Sequence, residues 1–143
     1  MPQVTRSALV PFSAEQMYSL VNDVASYPSF LPGCSGSRII ENSESSMVAS
    51  VDVSKAGISK TFTTSNQLEA GRKILMQLVD GPFKQLHGGW EFTPLDETAC
   101  KVELKLEFEF TSKLVEMAFG KIFNELTSNM VNAFTQRAKQ VYV

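Results

Sequence analysis

Hydrophobic and polar positions alternate most regularly in residues 100–110, CKVELKLEFEF. The apolar side chains all have even numbers and are Cys100, Val102, Leu104, Leu106, Phe108 and Phe110. The charged side chains have odd numbers and are Lys101, Glu103, Lys105, Glu107 and Glu109. Successive side chains of a strand point to opposite faces, so this pattern predicts a strand with one buried face and one solvated face. The charged face is typical of a sheet surface in water.

Shorter stretches of the same alternation occur earlier in the chain. A first strand is predicted over Gln3–Val10, because Pro11 follows it, and further strands over 47–53, 58–64, 74–78 and 86–92. Ala56-Gly57 and Asp80-Gly81-Pro82 have the chemistry of turns between these strands. Pro94 is expected to close the strand that contains Trp90. Together the segments predict an antiparallel meander.

Helical spacing appears at both ends of the chain. Ser13 and Gln16 form an S-x-x-Q capping box, and the apolar residues that follow predict a helix over Ala14–Asn22. A second short helical turn, interrupted by Pro28, is expected over residues 24–30. From 112 to 141 the period changes to three and four, which predicts a helix about 42 Å long. The residues with this spacing are Val115, Phe119, Ile122, Leu126, Met130, Ala133, Phe134, Arg137 and Val141.

This order of elements predicts the fold class. A first strand, two short helices, a run of antiparallel strands and one long C-terminal helix make an α+β domain of two layers. The sequence contains no repeat, low-complexity tract or linker, so residues 1–143 are interpreted as one domain.

Composition and charge exclude several classes of function. With 13 basic and 15 acidic residues the net charge is −2, so the whole molecule does not attract DNA by bulk charge. Cys34 and Cys100 lie far apart, which argues against a zinc site or a redox dithiol and favours free thiols. The N-terminal residues have no signal-peptide core, and no run reaches the ~20 apolar residues of a membrane span. A cytoplasmic, soluble protein is expected.

No catalytic motif is present. His87, the one histidine of the chain, has the strand parity opposite to that of Trp90 and Phe92, which places it on the outer face of the sheet. The sequence holds no nucleophile elbow, zinc-protease motif or P-loop, and the His87-Gly88-Gly89 stretch lacks an accompanying nucleophile. The sequence therefore favours a protein that is not an enzyme and that requires no cofactor.

The order of elements resembles the helix-grip fold of the START-like superfamily. More narrowly, VNDVASYPSFLPGC (residues 21–34) and VDGPFKQLHGGWEFTPL (residues 79–95) resemble the coenzyme Q-binding START-domain family. The resemblance extends along essentially the full chain to the bacterial branch that includes ribosome-association toxins. It implies a curved antiparallel sheet wrapped around the long C-terminal helix, with an apolar cavity between them.

Under that resemblance an apolar stripe becomes a candidate ligand site, since flexible Met and flat aromatic side chains suit a pliable wall. The candidate ligand-binding residues are Tyr27, Phe30, Leu31, Phe62, Met76, Trp90, Phe92, Phe108, Phe119, Phe123 and Met130. The same residues at the same spacing are also what an ordinary core would contain. Both interpretations remain open from the sequence.

The segment SYPSFLPGC, residues 26–34, is the candidate entrance to the cavity and is called the lip here. Pro28 and Pro32 restrict its backbone, and Gly33 can adopt a positive φ. In this interpretation the lip presents apolar side chains at the mouth, and the Tyr27 hydroxyl is available to a quinone carbonyl. The alternative is that the lip caps the open end of the sheet as part of the core.

Two functions follow from the resemblance. The first is non-catalytic binding of ubiquinone or a similar isoprenoid lipid, which supports respiration and involves transient contact with a membrane surface. The second is a toxin that binds the large ribosomal subunit and inhibits translation. For that role the candidate RNA contacts are Lys55, Lys60 and Lys84, which lie near strand ends.

Overall fold

A computed structural model describes residues 3–55 and 57–142. Ala56, half of the expected Ala56-Gly57 turn, lies outside the described residues. The elements, in chain order, are β1 (Gln3–Val10), α1 (Ala14–Asn22), a 3₁₀-helix (Val24–Ser29), β2 (Cys34–Asn42), β3 (Ser46–Lys55), β4 (Ile58–Glu69), β5 (Lys73–Asp80), β6 (Phe83–Asp96), β7 (Ala99–Phe110) and α2 (Lys113–Val141).

The seven strands form one antiparallel sheet in the order β1-β7-β6-β5-β4-β3-β2. Helix α2 packs against β1 and β7 on one side and against β3 and β4 on the other. The sheet therefore curves around the helix, with its middle strands spanning the space between the two lines of contact. This confirms the predicted α+β helix-grip fold, with a curved sheet, a long C-terminal helix and two short helices after the first strand.

The predicted helix signals are present as hydrogen bonds. The amide of Gln16 donates to Ser13 Oγ at 3.1 Å, and the Ser13 amide donates to Gln16 Oε1 at 2.9 Å, which completes the capping box of α1. The amide of Val115 donates to Ser112 Oγ at 3.2 Å. Ser112 is therefore the N-cap of α2, and the helix begins one residue later than its first predicted position.

The His87-Gly88-Gly89 stretch has a structural explanation. Gly88 and Gly89 have φ angles of +140° and +156° in β6, a central strand of the sheet. A Cβ on Gly88 would lie 2.0 Å from the Lys105 carbonyl oxygen, and a Cβ on Gly89 would lie 2.0 Å from that of Ile74. The glycine pair thus lets β5 and β7 approach β6 closely where the sheet bends around α2.

Strand β2 was not predicted. Most of its side chains are exposed, and its pairing with β3 shifts register between Cys34 and Gly36 and again between Ile39 and Glu41. An edge strand with two bulges has no continuous buried face, so the two-residue alternation on which strand prediction depends is missing.

The predicted end of β6 at Pro94 was wrong, because the strand continues to Asp96. The Phe92 amide donates to the Arg72 carbonyl at 2.7 Å, on the β5 side of β6. The backbone nitrogen of Pro94, two residues further on, faces the same side of β6. Strand β5 begins at Lys73, opposite Glu91, so it does not reach Pro94. The missing N–H of Pro94 therefore removes no ladder hydrogen bond.

The buried face of α2 differs from the predicted stripe. Its buried residues are Phe119, Gly120, Phe123, Leu126, Thr127, Val131, Phe134 and Ala138. Arg137 is only partly buried, and Val141 is 48% exposed. The predicted stripe followed a neighbouring row of the helix, so it omitted Phe123, Val131 and Ala138, which are buried. The buried face is centred on Phe123, Thr127 and Phe134.

Candidate functional site

A small cavity lies between the curved sheet, α2 and the 3₁₀-helix. Its volume is about 50 Å³, which is room for a few water molecules at roughly 10–15 Å³ each. Its lining residues are Val24, Tyr27, Leu31, Ala49, Val51, Phe62, Thr64, Asn66, Met76, Leu86, Trp90, Leu106, Phe123, Leu126, Thr127 and Met130. Most of this wall is apolar.

Seven of the eleven candidate ligand-binding residues meet at this cavity. They are Tyr27, Leu31, Phe62, Met76, Trp90, Phe123 and Met130. Within that set, Phe62, Met76 and Met130 are partly exposed, whereas the other four are buried. The structure thus brings together strand residues and helix residues that are far apart in the sequence.

The other four candidates lie elsewhere. Phe92 is fully buried between Trp90 and Tyr18, with ring centroids 6.3 and 5.9 Å away. Phe108 and Phe119 both belong to the buried ring cluster around Phe123, with centroids 4.9 and 5.9 Å from it. Phe30 faces a separate surface groove beside α2. These four residues pack around the cavity wall and do not line it.

The lip is packed onto α2. The Phe30 and Tyr27 rings meet the Phe134 ring edge-to-face, at centroid distances of 5.2 and 5.3 Å. The Arg137 guanidinium lies 5.1 Å from the Phe30 ring centre on the outer side. Leu31 is buried and lines the cavity, while Pro28 and Pro32 face outward. The lip therefore forms one wall of the cavity, and its prolines are on the surface.

The Tyr27 hydroxyl, expected to face a quinone carbonyl, has a partner within the fold. This hydroxyl donates a short hydrogen bond to the Val21 carbonyl at the end of α1. Complete burial raises the pKa of Tyr27 far above its usual value, chiefly through desolvation of the phenolate. The group holds the 3₁₀-helix against α1, so its donor is already used and is not offered to a ligand carbonyl.

Trp90 is the centre of the aromatic wall. It is 2% exposed, stacks with Phe92 at an interplanar angle of 6°, and meets Phe134 edge-to-face at 5.3 Å. Phe134 also contacts Tyr27 and Phe30, so a continuous line of rings joins the lip to β6 through α2. Phe134 is therefore in contact with both Trp90 and the lip.

Three polar residues interrupt the apolar wall, and none was among the predicted site residues. Thr64 and Asn66 are each 6% exposed on β4, and Thr127 is 1% exposed on α2. The Thr64 hydroxyl donates to Asn66 Oδ1 at 2.8 Å, and the Thr127 hydroxyl donates to the Phe123 carbonyl at 3.0 Å. The sequence held one signal for the first two, since both share the inward parity of Phe62 on β4.

The lysines considered for RNA contact lie at one end of the sheet. Lys55 and Lys60 are on the β3–β4 hairpin, where Lys60 pairs with Val53, and Lys84 follows the β5–β6 turn. Lys55 Nζ forms an ion pair with Glu125 Oε2 on α2. The hydrogen bond from Lys55 lowers the pKa of Glu125 below its usual value. One of the three positive charges therefore already has an acidic partner.

His87 has an acid beside it that the sequence did not reveal. Its Nε2 lies 3.0 Å from Glu107 Oε2 across the β6–β7 ladder, and both side chains are about half exposed. The pair is on the outer face, as predicted for His87, on the opposite side of the sheet from the cavity. Among the described residues there is no group of three or more acidic, histidine or cysteine side chains placed to hold a metal ion.

The two cysteines are free and buried. Burial raises the pKa of both thiols, so Cys34 and Cys100 carry little thiolate near neutral pH. Within residues 3–55 and 57–142, no helix has the length and hydropathy needed to cross a bilayer.

Comparisons with known proteins agree with this architecture. The crystal structure of Zhui aromatase/cyclase from Streptomyces sp. R1128 superposes with a TM-score of 0.87 over 99% of this chain and 96% of that one. The two sequences are 18% identical, so the similarity establishes the fold alone.

The sequence comparisons are more specific. The chain is 80% identical over 142 residues to the ribosome association toxin RatA of Vibrio cholerae, and the match covers 99% of both chains. It is 26% identical over 144 residues to the mitochondrial coenzyme Q-binding protein COQ10 homolog B of Xenopus laevis, covering 98% of this chain and 59% of that protein. Residues 10–135 match the family described as polyketide cyclase/dehydrase and lipid transport. The chain therefore belongs to this START-like family, in the branch whose bacterial relatives are named ribosome association toxins.

Proposed function

We propose that this protein binds an apolar ligand, ubiquinone or a similar isoprenoid lipid, between the sheet and α2, without catalysing a reaction on it. The observation that carries the proposal is the mostly apolar cavity, to which β3–β7, α2 and the lip all contribute. Each CH₂ group removed from water contributes about 0.8 kcal/mol, so several isoprene units would bind without a polar contact. Support of respiration through such a lipid is part of the proposal.

Binding requires the cavity to open. About 50 Å³ is far less than the roughly 300–1,000 Å³ of a typical ligand pocket. Met76 and Met130 can change rotamer at low cost, because their unbranched side chains are flexible. In this proposal the ligand separates walls that lie close together in this structure.

The β3–β4 hairpin is the natural moving part. Strand β5 ends at Asp80, opposite Thr63, so residues 58–62 of β4 extend past β5 toward α2. The hairpin is held there by β2 and by the Lys55–Glu125 ion pair. An exposed ion pair adds little to stability, so most of the cost of opening lies in separating the Phe62 ring from Phe83 and Phe123. Exchange of a lipid with a membrane would take place at this end of the sheet.

The first experiment is native mass spectrometry of freshly purified protein, followed by solvent extraction and mass analysis of what is released. A stoichiometric isoprenoid quinone supports the proposal. The second is titration with decylubiquinone followed by Trp90 emission, since Trp90 is the one tryptophan of the chain and lines the cavity. An empty protein whose emission ignores added quinone would overturn the proposal.

Association with the large ribosomal subunit is a second candidate function, and the 80% identical relative named a ribosome association toxin favours it. A cytoplasmic location belongs to this candidate, because ribosomes are there. Fold does not determine function, so an outer surface that binds a ribosome is compatible with a cavity that binds a lipid. The name of the relative favours the role but indicates no contact residues.

The test is cosedimentation of the protein with large subunits over a range of salt concentrations. If Lys60 and Lys84 contact RNA phosphates, Lys60→Ala and Lys84→Ala each reduce the slope of log affinity against log salt by about 1. Lys139→Ala, in the last turn of α2, is the matched control. Unchanged slopes in both hairpin-end variants would remove these lysines from the interface, and absence of cosedimentation would remove the function.

A further inference from the structure

We infer that Thr64, Asn66 and Thr127 recognise an oxygen atom of the ligand, so that the cavity selects an apolar molecule carrying a carbonyl or hydroxyl group over a pure hydrocarbon. The inference rests on the proposed function and specifies its ligand class. Its starting point is that these three residues are the polar side chains in the wall of a mostly apolar cavity, apart from Tyr27, whose hydroxyl donates to the Val21 carbonyl.

The hydrogen bond between Thr64 and Asn66 fixes which atoms face a ligand. Thr64 Oγ1 donates to Asn66 Oδ1 at 2.8 Å, which uses the acceptor end of the amide. The Nδ2 group, with two protons, takes no part in that bond and is the donor end. An oxygen acceptor on the ligand, such as a carbonyl, is the partner that matches it.

Thr127 supplies the complementary group on α2. Its hydroxyl proton is directed to the Phe123 carbonyl at 3.0 Å, with the Asn124 carbonyl at 3.3 Å. The hydroxyl oxygen retains lone pairs that can accept a hydrogen bond. The cavity therefore contains a donor from the sheet and an acceptor from the helix, a combination that a ligand carbonyl satisfies in part and a ligand hydroxyl satisfies fully.

The apolar surroundings of these residues favour a ligand that carries oxygen over a hydrocarbon. Asn66 pairs with Met47 and Met76, and Thr64 pairs with Ala49 and Leu78, so the polar pair is surrounded by apolar neighbours on both adjacent strands. A hydrocarbon that fills the cavity removes water from Nδ2 without replacing its hydrogen bonds. A buried donor left in that way weakens binding by about tenfold.

The test compares two probes that share a decyl chain on a six-membered ring. Decylubiquinone carries oxygen atoms attached to the ring carbons, and decylbenzene carries no oxygen. Binding of each is followed by Trp90 emission and by the shift in unfolding temperature. The variants are Asn66→Leu and Thr127→Val, which keep approximately the same volume and remove the polar atoms.

The chain offers a matched control for each variant. Thr135 in α2 makes the same bond to the carbonyl four residues back, at 2.8 Å, but does not line the cavity. Thr63 is next to Thr64 on β4, and its hydroxyl pairs with Ser50 Oγ at 2.6 Å on the other face of the sheet. Thr135→Val and Thr63→Val therefore lose a comparable hydrogen bond away from the ligand.

We expect Asn66→Leu and Thr127→Val each to lower the affinity for decylubiquinone about tenfold, while the affinity for decylbenzene stays the same or rises. Both controls should leave both affinities unchanged. If folded Asn66→Leu and Thr127→Val proteins retain full quinone affinity, or weaken both probes equally, the three residues have only a structural role and the inference is wrong. If the unmodified protein binds neither probe, the proposed function fails and this inference fails with it.

Discussion

Lys55 and Glu125 form an ion pair that joins the tip of the β3–β4 hairpin to the middle of α2. The contact is between a strand residue and a helix residue 70 positions apart in the sequence. It closes the hairpin over the side of the cavity where β5 has already ended. The same contact determines how much of the Lys55 charge is available to an RNA phosphate.

The pKa of Glu125 reports whether this pair forms in solution. Lys55 favours the charged carboxylate, so the Glu125 side chain should titrate below the usual glutamate value. In Lys55→Met the pKa should rise toward that usual value, whereas Lys60→Met should leave it unchanged. The measurement is a side-chain carboxyl titration by ¹³C NMR. An ordinary Glu125 pKa in the unmodified protein would mean that the hairpin is free and that Lys55 carries an unpaired charge.

Tyr27 is expected to stabilise the fold and not to contact the ligand. Tyr27→Phe removes the donor to the Val21 carbonyl and should lower the free energy of unfolding by about 1–3 kcal/mol. Its affinity for decylubiquinone should stay unchanged, because the ring and its contacts with Phe134 remain. Urea unfolding and the quinone titration measure the two effects separately.

Tyr142→Phe is the control for that substitution, since the Tyr142 hydroxyl donates to the Gln16 carbonyl at 2.9 Å, also on α1 but away from the cavity. Both tyrosine variants should lose stability and keep ligand affinity. A selective loss of quinone affinity in Tyr27→Phe would restore the hydroxyl to the binding site.

The glycine pair of β6 is expected to be essential for folding. Gly88→Ala places a Cβ 2.0 Å from a backbone oxygen of β7, which neither strand can avoid without breaking the ladder. We expect little folded protein, measured by circular dichroism and soluble yield. Gly57→Ala is the comparison, because Gly57 also has a positive φ, +82°, but nothing within 4 Å of its Cβ position. That variant should lose only about 1–2 kcal/mol.

A fully folded Gly88→Ala protein with normal stability would show that the close approach of β6 to its neighbours is not required.

Trp90 is expected to contribute to both stability and binding. Trp90→Ala should lower the free energy of unfolding by about 3–5 kcal/mol through the cavity it leaves. Trp90→Phe keeps a ring against Phe134 and should cost less. Because Trp90 is the fluorescent reporter, the variants are compared by circular dichroism in urea and by quinone retention in native mass spectrometry. A folded Trp90→Ala protein with full quinone retention would remove Trp90 from the ligand site.

Sequence patterns predicted the parts of the fold in which local signals and tertiary packing agree. The even-numbered residues of β7 are all buried, the capping box of α1 is present, and β1 and α1 have the predicted limits. Strand β2 was missed because it is an edge strand with two bulges, so its buried and exposed side chains do not alternate every two residues. The buried face of α2 was misplaced because apolar residues at helical spacing form more than one row on this helix, and the sequence does not show which row faces the sheet.

The candidate site was predicted as a set of apolar residues but not as a surface. Alternation identifies the inward face of a strand, and this was enough for Phe62, Met76 and Trp90. It does not distinguish a residue that lines a cavity from one behind the wall, such as Phe92 or Phe108. Polar members such as Asn66 were missed because only apolar residues were taken from the inward face of β4, although Asn66 has the same parity as Phe62.

The cavity also gives the protein a mechanical property. A folded chain that encloses unfilled volume becomes smaller in total volume when it unfolds, so hydrostatic pressure destabilises it. A ligand that occupies the space removes part of that volume difference. We expect quinone to raise the unfolding pressure of the protein. The rise should exceed the one calculated from the gain in free energy of unfolding that quinone gives in urea. Circular dichroism follows the urea unfolding, and infrared absorption follows the pressure unfolding. The sensitivity of this protein to pressure would then increase with the volume beside Trp90 that the ligand leaves unfilled.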